Sequence, residues 1–177
     1  MDVHRWSHRS LLWAAALVLA ALTLGMAFAH TLELPQKMGY GPSLWATLNQ
    51  TLYQYFAVVG GPVEVLNVGV LVGLAVTERR PRPRSWGLLV AACCFGAALV
   101  VWFAVVQPAN VQVSSWSVNA VPASWEGWRA RWEYGHAARF LLMIVGYTSL
   151  VLAALRWGLE RESSTRSGTD RHTVATR

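Results

Sequence analysis

Six side chains able to hold charge or carry a proton stand in or beside apolar stretches: His30, Glu33, Glu64, Glu133, His136 and Arg139. Their spacing is helical. Glu133, His136 and Arg139 follow one another at three-residue steps, and Asn67 stands three residues after Glu64. Residues three or four apart share one face of a helix. A histidine in such a group supplies a general base, and an arginine stabilises an anionic phenolate or enolate. The candidate catalytic set is therefore His136, Arg139, Glu64 and His30. Glu33, Asn67, Asn110, Trp132 and Glu133 are the candidate substrate contacts. Each has a plainer reading: Glu64 and Arg139 as a buried ion pair, His136 as a helix cap, His30 and Glu33 as interface residues.

The same residues permit a metal. His30-x-x-Glu33 and Glu133-x-x-His136 each put two ligand types on one face. With Glu64 they parallel the carboxylate–histidine sites of four-helix bundles. The His-x-x-Glu order is reversed from the usual one and a second lone carboxylate is missing, so no cofactor is assigned. Cys93 and Cys94 are adjacent and lack redox spacing, and read as small packing residues. Signatures of serine hydrolases, P-loops, dinucleotide folds and zinc proteases are absent.

These side chains need elements to position them. Of 177 residues, 54% are hydrophobic and 14% charged, against roughly a quarter charged in a soluble domain. Four runs are apolar enough to cross about 30 Å of hydrocarbon: residues 11–29, 55–76, 86–106 and 137–157. The expected fold is all-α, a polytopic four-transmembrane-helix bundle over residues 1–158 with helical outer segments. Residues 159–177 lack apolar periodicity and read as a disordered cytoplasmic tail. The net charge of +6 does not indicate nucleic acid, because the arginines lie between apolar runs. Membrane lipids, and a lipophilic small molecule, are the expected partners. Oligomeric state is left open; Gly69-x-x-x-Gly73 is read as close packing within the monomer.

Arginine placement orients the chain. Arg5 and Arg9 precede the first run, Arg79, Arg80, Arg82 and Arg84 join the second and third, and Arg156, Arg161, Arg166, Arg171 and Arg177 follow the fourth. The positive-inside rule puts all three groups, and both termini, in the cytoplasm of a cell whose plasma membrane the chain spans. Ala27-Phe28-Ala29 resembles a signal-peptide cleavage site. The apolar run is long for such a peptide, so the first helix is expected to be retained.

The two outer segments, 30–54 and 107–136, carry their own signals. Pro42-Ser43 reads as a helix start with Ser43 as N-cap, and Gly60-Gly61-Pro62 as a bend in the second span. Gln107-Pro108-Ala109-Asn110 reads as a break after the third, and Pro122-Ala123-Ser124 as another helix start. Trp125 and Trp128 suit an interfacial belt, whereas Trp132 shares a face with His136 and Arg139 and suits a pocket wall. By this topology the charged residues share the outer end of the bundle, in one outward-facing polar cavity, open toward the outside and sealed by the tryptophan-rich segment.

Ala29-His30-Thr31-Leu32-Glu33-Leu34-Pro35-Gln36-Lys37, Tyr53 and Glu64, and Asn110, Trp116, Pro122, Trp125, Arg129, Trp132-Glu133, His136 and Arg139 carry a resemblance. Over roughly residues 10–158 the chain resembles the small four-helix membrane proteins of the DUF1772 group, which includes fungal anthrone oxygenases. The resemblance implies a membrane four-helix bundle. It offers as a lead a cofactor-independent, oxygenase-type oxidoreductase acting on a lipophilic aromatic or quinone-like substrate. The alternative is a non-enzymatic accessory or lipid-binding protein whose polar cluster is structural.

Overall fold

The computed structural model describes residues 7–78 and 83–175 and is helical, with no strand among them beyond an isolated bridge between Ser117 and Ala120. Arg5, Arg79, Arg80, Arg82 and Arg177, which share in the orientation argument, lie outside the described residues. The elements are α1 (His8–Lys37), α2 (Pro42–Thr51), α3 (Gly61–Thr77), α4 (Pro83–Val101), α5 (Gln107–Ser114) and α6 (Trp125–Ala175). A π-helical turn, Phe56–Gly60, leads into α3, and a second, Trp102–Val106, joins α4 to α5. Four stretches are long and apolar enough to span a membrane: His8–Lys37, Phe56–Thr77, Ser85–Ser114 and Trp125–Arg161.

The four long helices close a ring in which α1 packs on α3, α3 on α4, α4 on α6 and α6 on α1. They alternate in direction. At one end Arg9, at the start of α1, pairs with Glu78, just after α3, at 2.7 Å, and Arg161 of α6 donates to the Ser10 hydroxyl. The polar residues of interest lie at the other end.

The bundle is small inside and large outside. The buried face of α1 reads Trp13, Ala16, Ala20, Thr23, Ala27, His30 and Lys37. These steps of mostly three or four residues fill the core with small side chains and carry His30 and Lys37 to the far end. Leu22, Leu32, Val58, Val100, Leu141 and Leu155 point outward, each more than half exposed. Where the surroundings are as apolar as leucine, helices associate through small residues that permit close approach. Gly146 shows this: a Cβ there would stand 3.0 Å from Phe95 and Cys94. Gly69 and Gly73 do not. Both face outward with open space around them, so the expected close packing within the monomer is not made there. Cys94 is half-buried, and Cys93 faces outward rather than into the core.

Several boundaries differ from those the sequence suggests. α1 extends two turns past residue 29, through Pro35, so His30 and Glu33 lie on its flank and do not cap it. Pro35 forfeits its own N–H bond and crowds the carbonyl four residues back, and α1 continues for only two residues beyond it. α2 starts with Gly41 at the N-cap and Pro42 in its first turn, and Ser43 is not the cap. The break expected at Gln107-Pro108 is absent. Both π turns end two residues before a proline, Pro62 or Pro108. A proline cannot donate to the carbonyl four residues back and its ring crowds it; a widened turn moves that carbonyl aside. Near Pro108 the carbonyls of Ala104 and Val105 accept from Arg131 at 2.8 and 3.1 Å. The fourth span and the outer segment before it are one helix, α6, which runs past residue 158 to Ala175 with no proline to stop it.

Candidate functional site

At the end away from the termini lies a partly open cavity of about 410 Å³. Its floor comes from α6 and α3. Arg139, buried in α6, directs one terminal nitrogen at both Glu64 oxygens, each 2.5 Å away. Its other terminal nitrogen stands 3.2 Å from His136 Nδ1, and its Nε donates to the Ala98 carbonyl at 3.3 Å. The guanidinium can only donate, so His136 Nδ1 accepts and the ring keeps its proton on Nε2. His136 therefore offers a donor, not a base. The ring of His30 lies beside it with centroids 4.2 Å apart, and His30 Nδ1, which is buried, has no hydrogen-bond partner among the described residues. Of the two histidines, His30 is the one with a free acceptor position.

The walls are aromatic. Trp132 stands one turn before His136, 4.3 Å from its ring, with Tyr53, Phe56 and Trp102 also lining the space. Trp132 Nε1 donates to Asn110 Oδ1 at 2.7 Å, which fixes both indole and amide. Gln50, Gln54 and Gln107 add further amides to the lining.

Above the cavity sits a second charged group around Lys37, the chain's sole lysine. Its ammonium is 3.1 Å from Glu133 and 3.4 Å from Glu33, and lies over the rings of Tyr53 and Trp132 at 4.7 and 4.3 Å. The Glu133 contact is charge pairing without hydrogen-bond alignment. Glu133 also accepts from the Trp45 indole at 2.9 Å, which ties α2 to α6. The Tyr53 hydroxyl donates to Glu33. Burial, then that hydrogen bond and the charge of Glu33, push the Tyr53 phenol above its ordinary value. Gln50 holds the end of α5 and the segment after it through the carbonyls of Val113 and Trp116, and Arg129 holds the Tyr40 carbonyl while stacked on Trp125. Trp125 and Trp128 pack partly buried against this roof.

Of the residues singled out in the sequence, His30, Glu64, Asn110, Trp132, His136 and Arg139 line one cavity. Glu33, Glu133 and Asn67 do not. The two carboxylates turn to Lys37 instead. Asn67 is fully buried, one turn inward of Glu64, and both its amide atoms lack a partner among the described residues. The five possible metal ligands do not converge: no group of three His, Cys, Asp or Glu side chains forms a metal site among the described residues. Glu64 faces Arg139, and Glu33 and Glu133 face Lys37. Lys37, Trp45 and the glutamines were missed as site residues. A visible signal existed for Lys37, an isolated lysine four residues after Glu33, but it needed α1 to continue past residue 29.

Comparison with known protein families, curated proteins and solved structures gives no match to this chain.

Proposed function

We propose that the chain is an integral protein of the cytoplasmic membrane, with four spans, both termini in the cytoplasm and the cavity in the outer half. The outward-facing leucines and valines and the arginine distribution support this reading. The cavity binds a lipophilic aromatic or quinone-like molecule and acts on it as an oxidoreductase. The observation that carries the proposal is the His30–His136 pair, braced by Arg139, on the floor of an aromatic-walled cavity.

His30 accepts a proton from the substrate, and the Nε2–H of His136 donates to the oxygen that gains charge. Arg139 acts through His136, whose orientation it fixes, and its own charge is balanced by Glu64. Dioxygen is the oxidant, following the anthrone oxygenase lead: the electron-rich ring carbanion left by proton loss forms a C–O bond with it, the peroxide takes the proton back from His30, and loss of water leaves a ring ketone. In the test, His136→Ala abolishes ligand binding and turnover while size-exclusion and circular-dichroism profiles stay those of the parent. Unchanged binding in that variant refutes the proposal.

A second reading has one observation in its favour. Glu64 and Arg139 already satisfy each other, as they would in a structural clamp of an accessory or lipid-binding protein. Under that reading Glu64→Gln lowers thermal stability and leaves any activity per folded molecule unchanged.

A further inference from the structure

The routes into the cavity can be taken one at a time. The roof is closed: Trp45, Trp116 and Trp132 are 0%, 8% and 2% exposed, and hydrogen bonds from Trp45 and Gln50 hold it down. The opposite end is filled by the core residues Leu71, Phe95, Ala98 and Met143. Only four lining residues are exposed: Gln54 and Ala57 at the start of the second span, and Val111 and Ser114 in α5. The mouth therefore lies on the flank of the bundle, between the segments that the two π turns begin and end. Tyr55, Val58 and Val59, next to Ala57 in the chain, and Phe103, next to the lining residue Trp102, are 67%, 69%, 61% and 58% exposed. Apolar side chains exposed beside Ala57 and Val111 suit lipid rather than water, while Gln54 and Ser114 give the mouth two polar groups.

The floor has no net charge to offer. Arg139 is matched by Glu64, and His136 is held as a neutral donor. Lys37 is outnumbered by Glu33 and Glu133 and lies behind Tyr53 and Trp132. A charged headgroup would lose its hydration here and meet no free counter-ion, which is unfavourable at membrane depth. A neutral oxygenated ring meets the His136 Nε2–H, amide groups and aromatic faces.

We infer that the ligand is an uncharged quinone- or quinol-type ring bearing an apolar chain, and that it enters sideways from the lipid between Ala57 and Val111. This rests on the cavity being a ligand site, as proposed above, and adds its route and headgroup charge.

Full-length protein in phosphatidylcholine nanodiscs is titrated with a decyl-substituted benzoquinone, a chainless benzoquinone and decanoate, with quenching of tryptophan fluorescence as readout. The decyl quinone saturates, the chainless ring binds more weakly by about tenfold or more, and decanoate does not compete. Ala57→Trp and Val111→Trp slow association of the decyl quinone by about tenfold, with thermal stability unchanged because both positions are exposed. His136→Phe weakens its equilibrium binding. Decanoate competing as well as the quinone overturns the neutral headgroup. Equal binding of the chainless ring, with no slowing in either tryptophan variant, overturns the sideways route. Those two results leave the pocket itself standing. Absence of saturable binding of any probe, or unchanged binding in His136→Phe, overturns the pocket reading as well.

Discussion

Replacing Lys37 with methionine removes a buried charge while keeping an unbranched side chain that still packs on Tyr53 and Trp132. The consequence falls on Glu133, whose side chain is 0% exposed. It keeps the Trp45 indole as a donor and loses the one cation paired with it among the described residues. Breaking a buried pair by removing one partner costs about 3–5 kcal/mol. Glu33 adds little, because its side chain is 40% exposed and solvent screens it. For a chain of this size each kcal/mol moves the melting midpoint by about 2–4 °C, so Lys37→Met should lower it by roughly 6–20 °C. Lys37→Met combined with Glu133→Gln removes both charges and should recover much of the loss, since removing both partners can be nearly neutral. The assay is thermal unfolding of the detergent-solubilised protein through a double-mutant cycle, with an expected coupling of about 2 kcal/mol. A shift below about 2 °C in Lys37→Met, or losses that simply add in the double variant, would refute the argument.

Arg131→Met withdraws the donors that serve the Ala104 and Val105 carbonyls; because Arg131 is exposed and water replaces it in part, the expected loss is about 1 kcal/mol, and an unchanged melting midpoint counts against the carbonyl argument. The Tyr53 phenol has its folded-state value raised, so its contribution is present below its ordinary value near pH 10 and lost as pH rises above it; Tyr53→Phe should flatten that alkaline decline, and an identical alkaline profile counts against it. With Cys93 and Cys94 replaced by alanine, Ser117→Cys should react with an impermeant thiol reagent in intact cells and Ser7→Cys should not; the reverse pattern inverts the proposed topology.

Much of the bundle was legible because hydropathy is a local property. Four long, mainly apolar runs, two of them free of charge, show where long helices must lie, since a helix satisfies its own backbone wherever it has no water. The helical spacing of Glu133, His136 and Arg139 likewise shows that they share one side of α6. Alternation of direction then gathers the charged residues at one end without any knowledge of packing. Pro108 was read less well. Gln107-Pro108 looked like a break, yet helix continues through it, because a π turn moves the crowded carbonyl aside and Arg131 supplies a donor in place of the one proline removes.

Partner choice was not legible, because it is settled between residues far apart in the chain. Sequence alone put Glu133 with His136 in a pocket; the fold gives Glu133 to Lys37, some 96 positions earlier. Sequence made His136 a base, and Arg139 turns it into a donor by occupying Nδ1. Gly69 and Gly73 have the spacing for a close contact, yet which face of α3 turns inward is fixed by Asn67, Leu71 and Leu74. A sequence dictates which faces a helix can offer. Which face meets which, and so which donor meets which acceptor, is decided only when four helices compete for one interior.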